Sequence, residues 1–150
     1  MKVFDAAELR NVALVGHSGA GKTQLAAALL YDAGATPRLG KVDDGTTVTD
    51  YDEEAIARKH TLSSSLAWFE FNKHKVNLVD TPGMGNFLSD ARAALRVVEA
   101  ALVVVDGVSG VQVSTEQMWE SADALNLPRL LVVNRLDRER SSFTRTLESL

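Results

Sequence analysis

Gly16-His17-Ser18-Gly19-Ala20-Gly21-Lys22-Thr23 has the residue types and spacing of a phosphate-binding loop, G-x-x-x-x-G-K-[ST]. Glycines let successive backbone N–H groups curl around phosphate oxygens, and a helix that begins there points its positive end at them. Lys22 is then the side chain for the β- and γ-phosphates, and Thr23 supplies a hydroxyl to Mg²⁺. The competing reading is a glycine turn with an accidental lysine. A buried strand before the loop and a helix after it favour the phosphate reading. Asp80-Thr81-Pro82-Gly83 forms a second group. Asp80 can hold a magnesium-bound water, and Gly83 can bring its N–H to a γ-phosphate. Alone, these four residues are ordinary turn chemistry; their place after the third strand of such a fold gives them weight. Asn134-Arg135-Leu136-Asp137 is the third group. Asp137 can accept from guanine N1–H and the exocyclic N2 amine, which adenine does not present, and Arg135 can lie along the base. A solvated charged loop is the bland alternative, and it is kept for Arg138, Glu139 and Arg140.

These groups need elements to position them. Asn11–Gly16 carries Val12, Ala13, Leu14 and Val15 in a row, the mark of a strand buried on both faces. Lys22–Asp32 reads as a helix with Leu25, Ala28 and Leu29 on one face and Gly34 as its stop. Thr36–Thr61 is polar and weakly periodic, with no clear strand, and long stretches of that kind are usually functional. Ser65–Phe71 and Lys75–Val79 read as a hairpin turning at Asn72–His74. Phe87, Ala91, Ala94, Leu95 and Val98 fall at helical spacing, and Ala101–Val105 is another buried strand. Thr115–Leu125 reads as a helix with Met118, Ala122 and Leu125 inward, Leu130–Val133 as a strand, and Ser141–Leu150 as the start of a helix. Alternating buried strands and helices imply an α/β fold, a mostly parallel sheet with helices on both faces. Ligands of such sheets bind beyond the carboxyl ends of the strands, where all three groups fall.

At 150 residues, 45% hydrophobic and 24% charged, the chain matches one ordinary globular domain. A net charge of −4 does not support bulk attraction to phosphate backbones, so no direct sequence-specific nucleic-acid binding is expected. Without cysteine there are no disulfides, thiolate metal sites or cysteine nucleophiles, and three scattered histidines argue against a histidine metal cluster. No apolar run approaches a membrane span, and Met1–Arg10 lacks the apolar core of a signal peptide. The expectation is a cytoplasmic domain with no membrane partner.

Taken together, the motifs resemble those of a translational GTPase, specifically elongation factor G and its paralogues. Further residues carry the likeness: Gly16-His17; Gly40 to Thr46; Asp50-Tyr51; Arg58-Lys59-His60-Thr61; Gly110-Val111-Gln112-Val113 with Thr115-Glu116; and Asn134 to Arg140. The resemblance runs from about Leu9 onward. It implies a three-layer P-loop NTPase fold, truncated at its C-terminal side, with 1–150 an incomplete GTP-binding domain, 36–62 its first switch and 80–90 its second. It implies GTP or GDP with Mg²⁺, bound by His17, Ser18, Gly19, Ala20, Gly21, Lys22, Thr23, Asp80, Asn134, Arg135 and Asp137, with the metal at Thr23, Thr61 and, through water, Asp80. It implies a ribosome partner through a longer protein. The family's last guanine-contacting loop, a serine-alanine turn, has no counterpart before Leu150.

Three positions depart from the family pattern. The histidine that follows D-T-P-G and orients the attacking water is Met84, a thioether that cannot do this. Thr61, Gly83 and position 84 are the catalytic candidates. The arginine-glycine-isoleucine-threonine of the first switch reads Arg58-Lys59-His60-Thr61, and the lysine of N-K-x-D is Arg135. The resemblance implies GTP hydrolysis; the alternative is a guanine-nucleotide binding module with little hydrolysis, because of Met84. A phosphate-loop ATPase of another class is a third reading, opposed by Asp137. His60 is read as an exposed switch residue, His17 as packing, His74 as hairpin surface, Trp68, Phe69 and Phe71 as core or sheet face, and Trp119 as exposed.

Overall fold

A computed structural model describes residues 3–149. Its sheet has the strand order β2-β3-β1-β4-β5. Strand β1 (Leu9–Val15) runs parallel to β3 (His74–Asp80) on one side and to β4 (Ala100–Asp106) on the other. Strand β5 (Arg129–Asn134) extends the parallel set, and β2 (Ser65–Phe71) is its antiparallel edge. Flanked on both sides, Ala13, Leu14 and Val15 are fully buried, as an unbroken apolar run requires.

Two clusters make the structure three layers. On one face Ala13, Val15, Val103 and Val105 meet Ala91 and Leu95 of α3 (Leu88–Leu95) and Met118 and Ala122 of α4 (Val113–Ala124). On the other, Leu14, Leu78 and Val104 meet Ala26 of α1 (Lys22–Asp32). The α1 bounds agree with expectation, but its inward face is turned. Ala26, Ala27 and Leu30 are buried while Leu25, Ala28 and Leu29 are half-buried. The helix is apolar nearly all round, so periodicity alone fixes its rotation poorly.

Other departures have similar physical causes. Leu125, expected inward, caps the C-terminus of α4 and is 42% exposed. Leu130 is 65% exposed because β5 lies at the sheet edge. Val98 is buried, yet beyond the end of α3, and Phe87 sits in a 3-10 turn before it. The hairpin turns on Asn72 and Lys73, both with positive φ (46° and 67°), so His74 already belongs to β3. Phe69 is buried, whereas Trp68 and Phe71 are exposed; Trp68 lies on the outer sheet face, with the Lys75 ammonium 4.8 Å from its ring. The final helix α5 spans Phe143–Glu148, and the expected extension to Leu150 lies outside the described residues.

The stretch read as structureless holds a helix, α2 (Glu53–Arg58). The Asp52 carboxylate caps it, accepting from the N–H groups of Glu54 (2.8 Å) and Ala55 (3.2 Å). Glu53 and Glu54 suit its positive end. Six residues with one buried side chain, Ala55, carry too little periodicity to be read as a helix. Lys59 ends it at φ 55°, and the His60 N–H returns to Ala55 O at 3.1 Å. That reversal delivers His60 and Thr61 to the carboxyl ends of the strands.

Candidate nucleotide-binding site

A cleft of about 470 Å³ opens at those ends. Ser18, Gly19, Gly21, Lys22 and Thr23 line one wall, Asn134, Arg135 and Asp137 another, and Thr61 and Gly83 the phosphate end. Three groups far apart in sequence thus share one cavity. Asp80 lies beneath it, fully buried, and Ala20 is buried under the loop. His17 and Met84 do not line the cleft. Met84 is half-buried where a 3-10 turn begins. His17 is half-buried, with its ring Nδ1 enclosed and unpartnered, and its backbone N–H donates to Thr115 Oγ1 at 3.2 Å. Burial, with Lys22 second, lowers the His17 pKa.

The loop is wound around Lys22. Its ammonium donates to Gly16 O (2.9 Å) and His17 O (3.0 Å) and is nearly inaccessible. Burial lowers its pKa to about 8, with Asp80 opposing. The Ser18 N–H donates to Gly83 O at 3.1 Å. Gly83 packs so closely that a Cβ there would collide with Lys22 Nζ, Gly16 O and Ser18 N. Lys22 Nζ and the Ser18 N–H are donors of the kind a phosphate engages, and here both are turned to protein carbonyls.

Thr23 Oγ1 and Thr61 Oγ1 are 2.9 Å apart. Thr61 donates to Asp50 Oδ1 at 3.0 Å, and Thr49 donates to Asp80 Oδ2 at 2.9 Å. Asp80 Oδ1 is buried without a partner. Burial raises the Asp80 carboxyl to about 6, against the pull of Thr23, Thr49 and Lys22. Burial likewise raises Asp50, with Thr61 and His60 pulling it back. This is an all-oxygen donor set with one carboxylate oxygen unsatisfied, which suits Mg²⁺. Among the described residues no cluster of three acidic or histidine ligands forms. A magnesium ion here would rely on hydroxyls, water and phosphate oxygens rather than a protein cage.

At the base end, Asn134 Nδ2 donates to Ala20 O at 2.9 Å, and its side chain lies where a Cβ on Gly21 (φ 93°) would stand. The base loop is therefore tied to the phosphate loop. Arg135, at φ 60°, pairs through NH1 with Asp106 Oδ2 at 2.9 Å. Burial alone would raise Asp106, but the Val108 and Ser109 N–H groups and Arg135 hold its pKa below the ordinary value. The guanidinium is thus anchored, and Arg135 lines the cleft. Asp137 stands exposed at the rim.

Sequence reading gave Thr49, Gln24 and Asp106 no part in the site, and met Asp50 only as part of the family likeness. Gln24 holds the 36–62 segment at two points, donating to Gly40 O (2.9 Å) and accepting from the Val42 N–H (3.2 Å). Nothing in the spacing of these polar residues marks them; Thr49 and Asp50 sit in an aperiodic run that only the folded chain brings to Asp80 and Thr61. Gln24 and Thr49 join Thr61 in tying the 36–62 segment to the rest of the fold.

The elongation factor Tu GTP binding domain family matches residues 7–150. Ribosome-releasing factor 2, mitochondrial, from Candida albicans is 40% identical over 145 residues, 97% of this chain and 18% of that protein. Elongation factor G from Granulibacter bethesdensis is 37% identical over 143 residues, 95% of this chain and 21% of that protein. A crystal structure from Thermus thermophilus superimposes with TM-score 0.90 at 47% identity, covering 95% of this chain and 22% of that one. The chain spans about a fifth of the length of these curated relatives. With three strand-end groups on one cleft and a match across nearly all its length, the chain belongs to the elongation factor Tu GTP-binding domain family, in the branch that resembles elongation factor G.

Proposed function

We propose that this chain binds GTP and GDP with Mg²⁺ and hydrolyses GTP, and that the protein carrying it does so on the ribosome. Residues 1–150 are then a GTP-binding domain, with 36–62 as first switch and 80–90 as second. The observation that supports this most is the shared cleft, which a phosphate-type loop and a guanine-type carboxylate line together. Lys22, released from Gly16 O and His17 O, neutralises phosphate charge. Ser18 N–H and the neighbouring loop N–H groups hold the phosphate oxygens. Thr23, Thr61 and, through water, Asp80 would hold Mg²⁺, which would offset the negative charge of the phosphates. Gly83, turning its peptide, presents an N–H to the γ-phosphate and so links its presence to the second switch. Asp137 and Asn134 fix the base, and Asp106 steadies Arg135 beside it.

The relatives' names, ribosome-releasing factor and elongation factor, support the ribosome as partner. Its compartment is then wherever those ribosomes are: fungal relatives are named mitochondrial, so kinship does not single out the cytoplasm. No helix of the described residues is long and apolar enough to cross a membrane. The test is titration with labelled GTP and GDP, competed by ATP, followed by single-turnover hydrolysis with and without ribosomes. Tight guanine-selective binding and ribosome-stimulated hydrolysis are expected. Equal competition by ATP overturns the guanine reading, and tight binding with no stimulation returns the chain to a nucleotide-binding module.

A further inference from the structure

We infer that His60, rather than residue 84, supplies the side chain that orients the attacking water. The inference rests on the GTP-hydrolysis reading above and names a residue for it. In the family pattern the first switch carries isoleucine before its threonine, and the second carries histidine after D-T-P-G. This chain has His60 and Met84 at those positions. An imidazole and an apolar side chain have exchanged places between the two switches.

The geometry distinguishes His60 from the chain's other histidines. There are three. His74 lies at the hairpin, where its Nδ1 meets Asn72 O at 2.9 Å. His17 belongs to the Gly16–Thr23 loop but does not line the cleft. His60 lines the cleft at the phosphate end, next to Thr61, whose hydroxyl is 2.9 Å from that of Thr23. Its Nδ1 lies 3.5 Å from Ser18 Oγ, and the Ser18 N–H meets Gly83 O at 3.1 Å. Ser18, Gly83 and Lys22 are the residues that the reading above assigns to the phosphates. Asp137 is at the other end of the same cleft. The loose 3.5 Å contact is of the kind that tightens when substrate closes a site. The α2 reversal at Lys59 is what carries His60 there.

With Nδ1–H donating to Ser18 Oγ, Nε2 keeps its lone pair and accepts a hydrogen bond from water. The water oxygen forms a bond to the γ-phosphorus. The bond from that phosphorus to the β–γ bridging oxygen breaks, and its electron pair stays on GDP. The proton lost by the water ends on the released inorganic phosphate. GTP and water become GDP and phosphate, with no net proton on His60. Its task is orientation, which is most of what phosphoryl transfer asks of a protein.

The test uses the full-length protein with ribosomes. His60→Ala is expected to slow single-turnover hydrolysis about 100-fold, with GTP and GDP affinities kept within about threefold. His60→Gln, whose amide oxygen also accepts, is expected to recover about a tenth of the rate or more. His74→Ala, on the hairpin, is expected to hydrolyse like the parent. Hydrolysis by His60→Ala at the parent rate overturns the inference. So does a matched loss of GTP and GDP affinity in both His60 variants, which makes His60 a structural part of the loop. A parent that fails to bind GTP at all removes the GTP reading itself, a result distinct from either.

Discussion

Lys22 is a buried cation whose partners are carbonyl oxygens of its own loop. Lys22→Ala removes the charge that a triphosphate would meet, and losing one partner of a buried charged pair costs about 2–5 kcal/mol. GTP and GDP affinity should fall by about 30-fold or more, read by titration with a fluorescent analogue. Asp137 has a different task at the other end of the cleft. Asp137→Asn exchanges a charge-assisted acceptor for an amide with donors. Preference should shift from guanine toward xanthine in a GTP-against-XTP competition, and unchanged preference would remove Asp137 from the base site. Asp80 ties the site to pH. Burial raises its carboxyl from an ordinary 3.8 to about 6. A carboxyl with a raised folded pKa adds stability that is complete below its unfolded pKa and lost as pH climbs through the folded one. Free of nucleotide and Mg²⁺, the protein should lose stability on this account between about pH 4 and 6. Asp80→Asn should flatten that slope in thermal melts recorded across the interval. With Mg²⁺ and nucleotide bound the carboxylate form is the one held, and the same window should then favour the higher pH.

The elements carry a strain that sequence alone suggests and geometry locates. The family's glycine before residue 60 is Lys59, and its φ is 55°. A side chain in that left-handed region costs about 1–2 kcal/mol, and glycine gives back part of this through its unfolded-state entropy. Lys59→Gly should therefore stabilise the chain by about 0.5–1 kcal/mol in urea unfolding, since the lost Lys59–Asp43 contact is exposed and worth little. A decrease in stability would mean that this contact or the side-chain stem matters more than the backbone. The 36–62 segment, proposed as the first switch, is a set of ties rather than a packed element. Thr49 to Asp80, Asp50 to Thr61 and Gln24 to Gly40 and Val42 hold it, and Asp52 starts its one helix.

At the scale of the molecule, the site exists only where β1, β3 and β5 end together. The hydroxyls and carboxylates there have no cage of their own for a cation. Magnesium and nucleotide should therefore bind as one unit. Chelating Mg²⁺ with EDTA should weaken GTP binding about tenfold or more, and GTP with Mg²⁺ should raise the melting temperature above that of GTP alone. Equal melting temperatures would detach the metal from the site. The stabilisation should be larger for GTP than for GDP, because the γ-phosphate gives Thr61 and Gly83 something to hold.

The sequence by itself determined the strands, α1 within its bounds, and all three strand-end groups. Those rest on local rules: an apolar run buries, a glycine loop between strand and helix has the pattern of a phosphate loop, and polar groups at the ends of parallel strands fall on one edge of the sheet. Order along the chain also determined the parallel sheet, because βα alternation leaves few other topologies. Only tertiary structure decided what depends on distance through space. It set the turn of α1, since an apolar helix has no preferred face until its neighbours arrive. It made Leu130 an exposed edge residue and placed Leu125 beyond the helix. It joined Thr49 to Asp80, Asp50 to Thr61 and Arg135 to Asp106, pairs separated by 31, 11 and 29 positions. It also put His60 inside the cleft and Met84 outside it. A side chain's chemistry is written in the sequence, but its partner is chosen by the fold, because hydrogen bonds act over a few ångströms and those residues meet only once the sheet has formed.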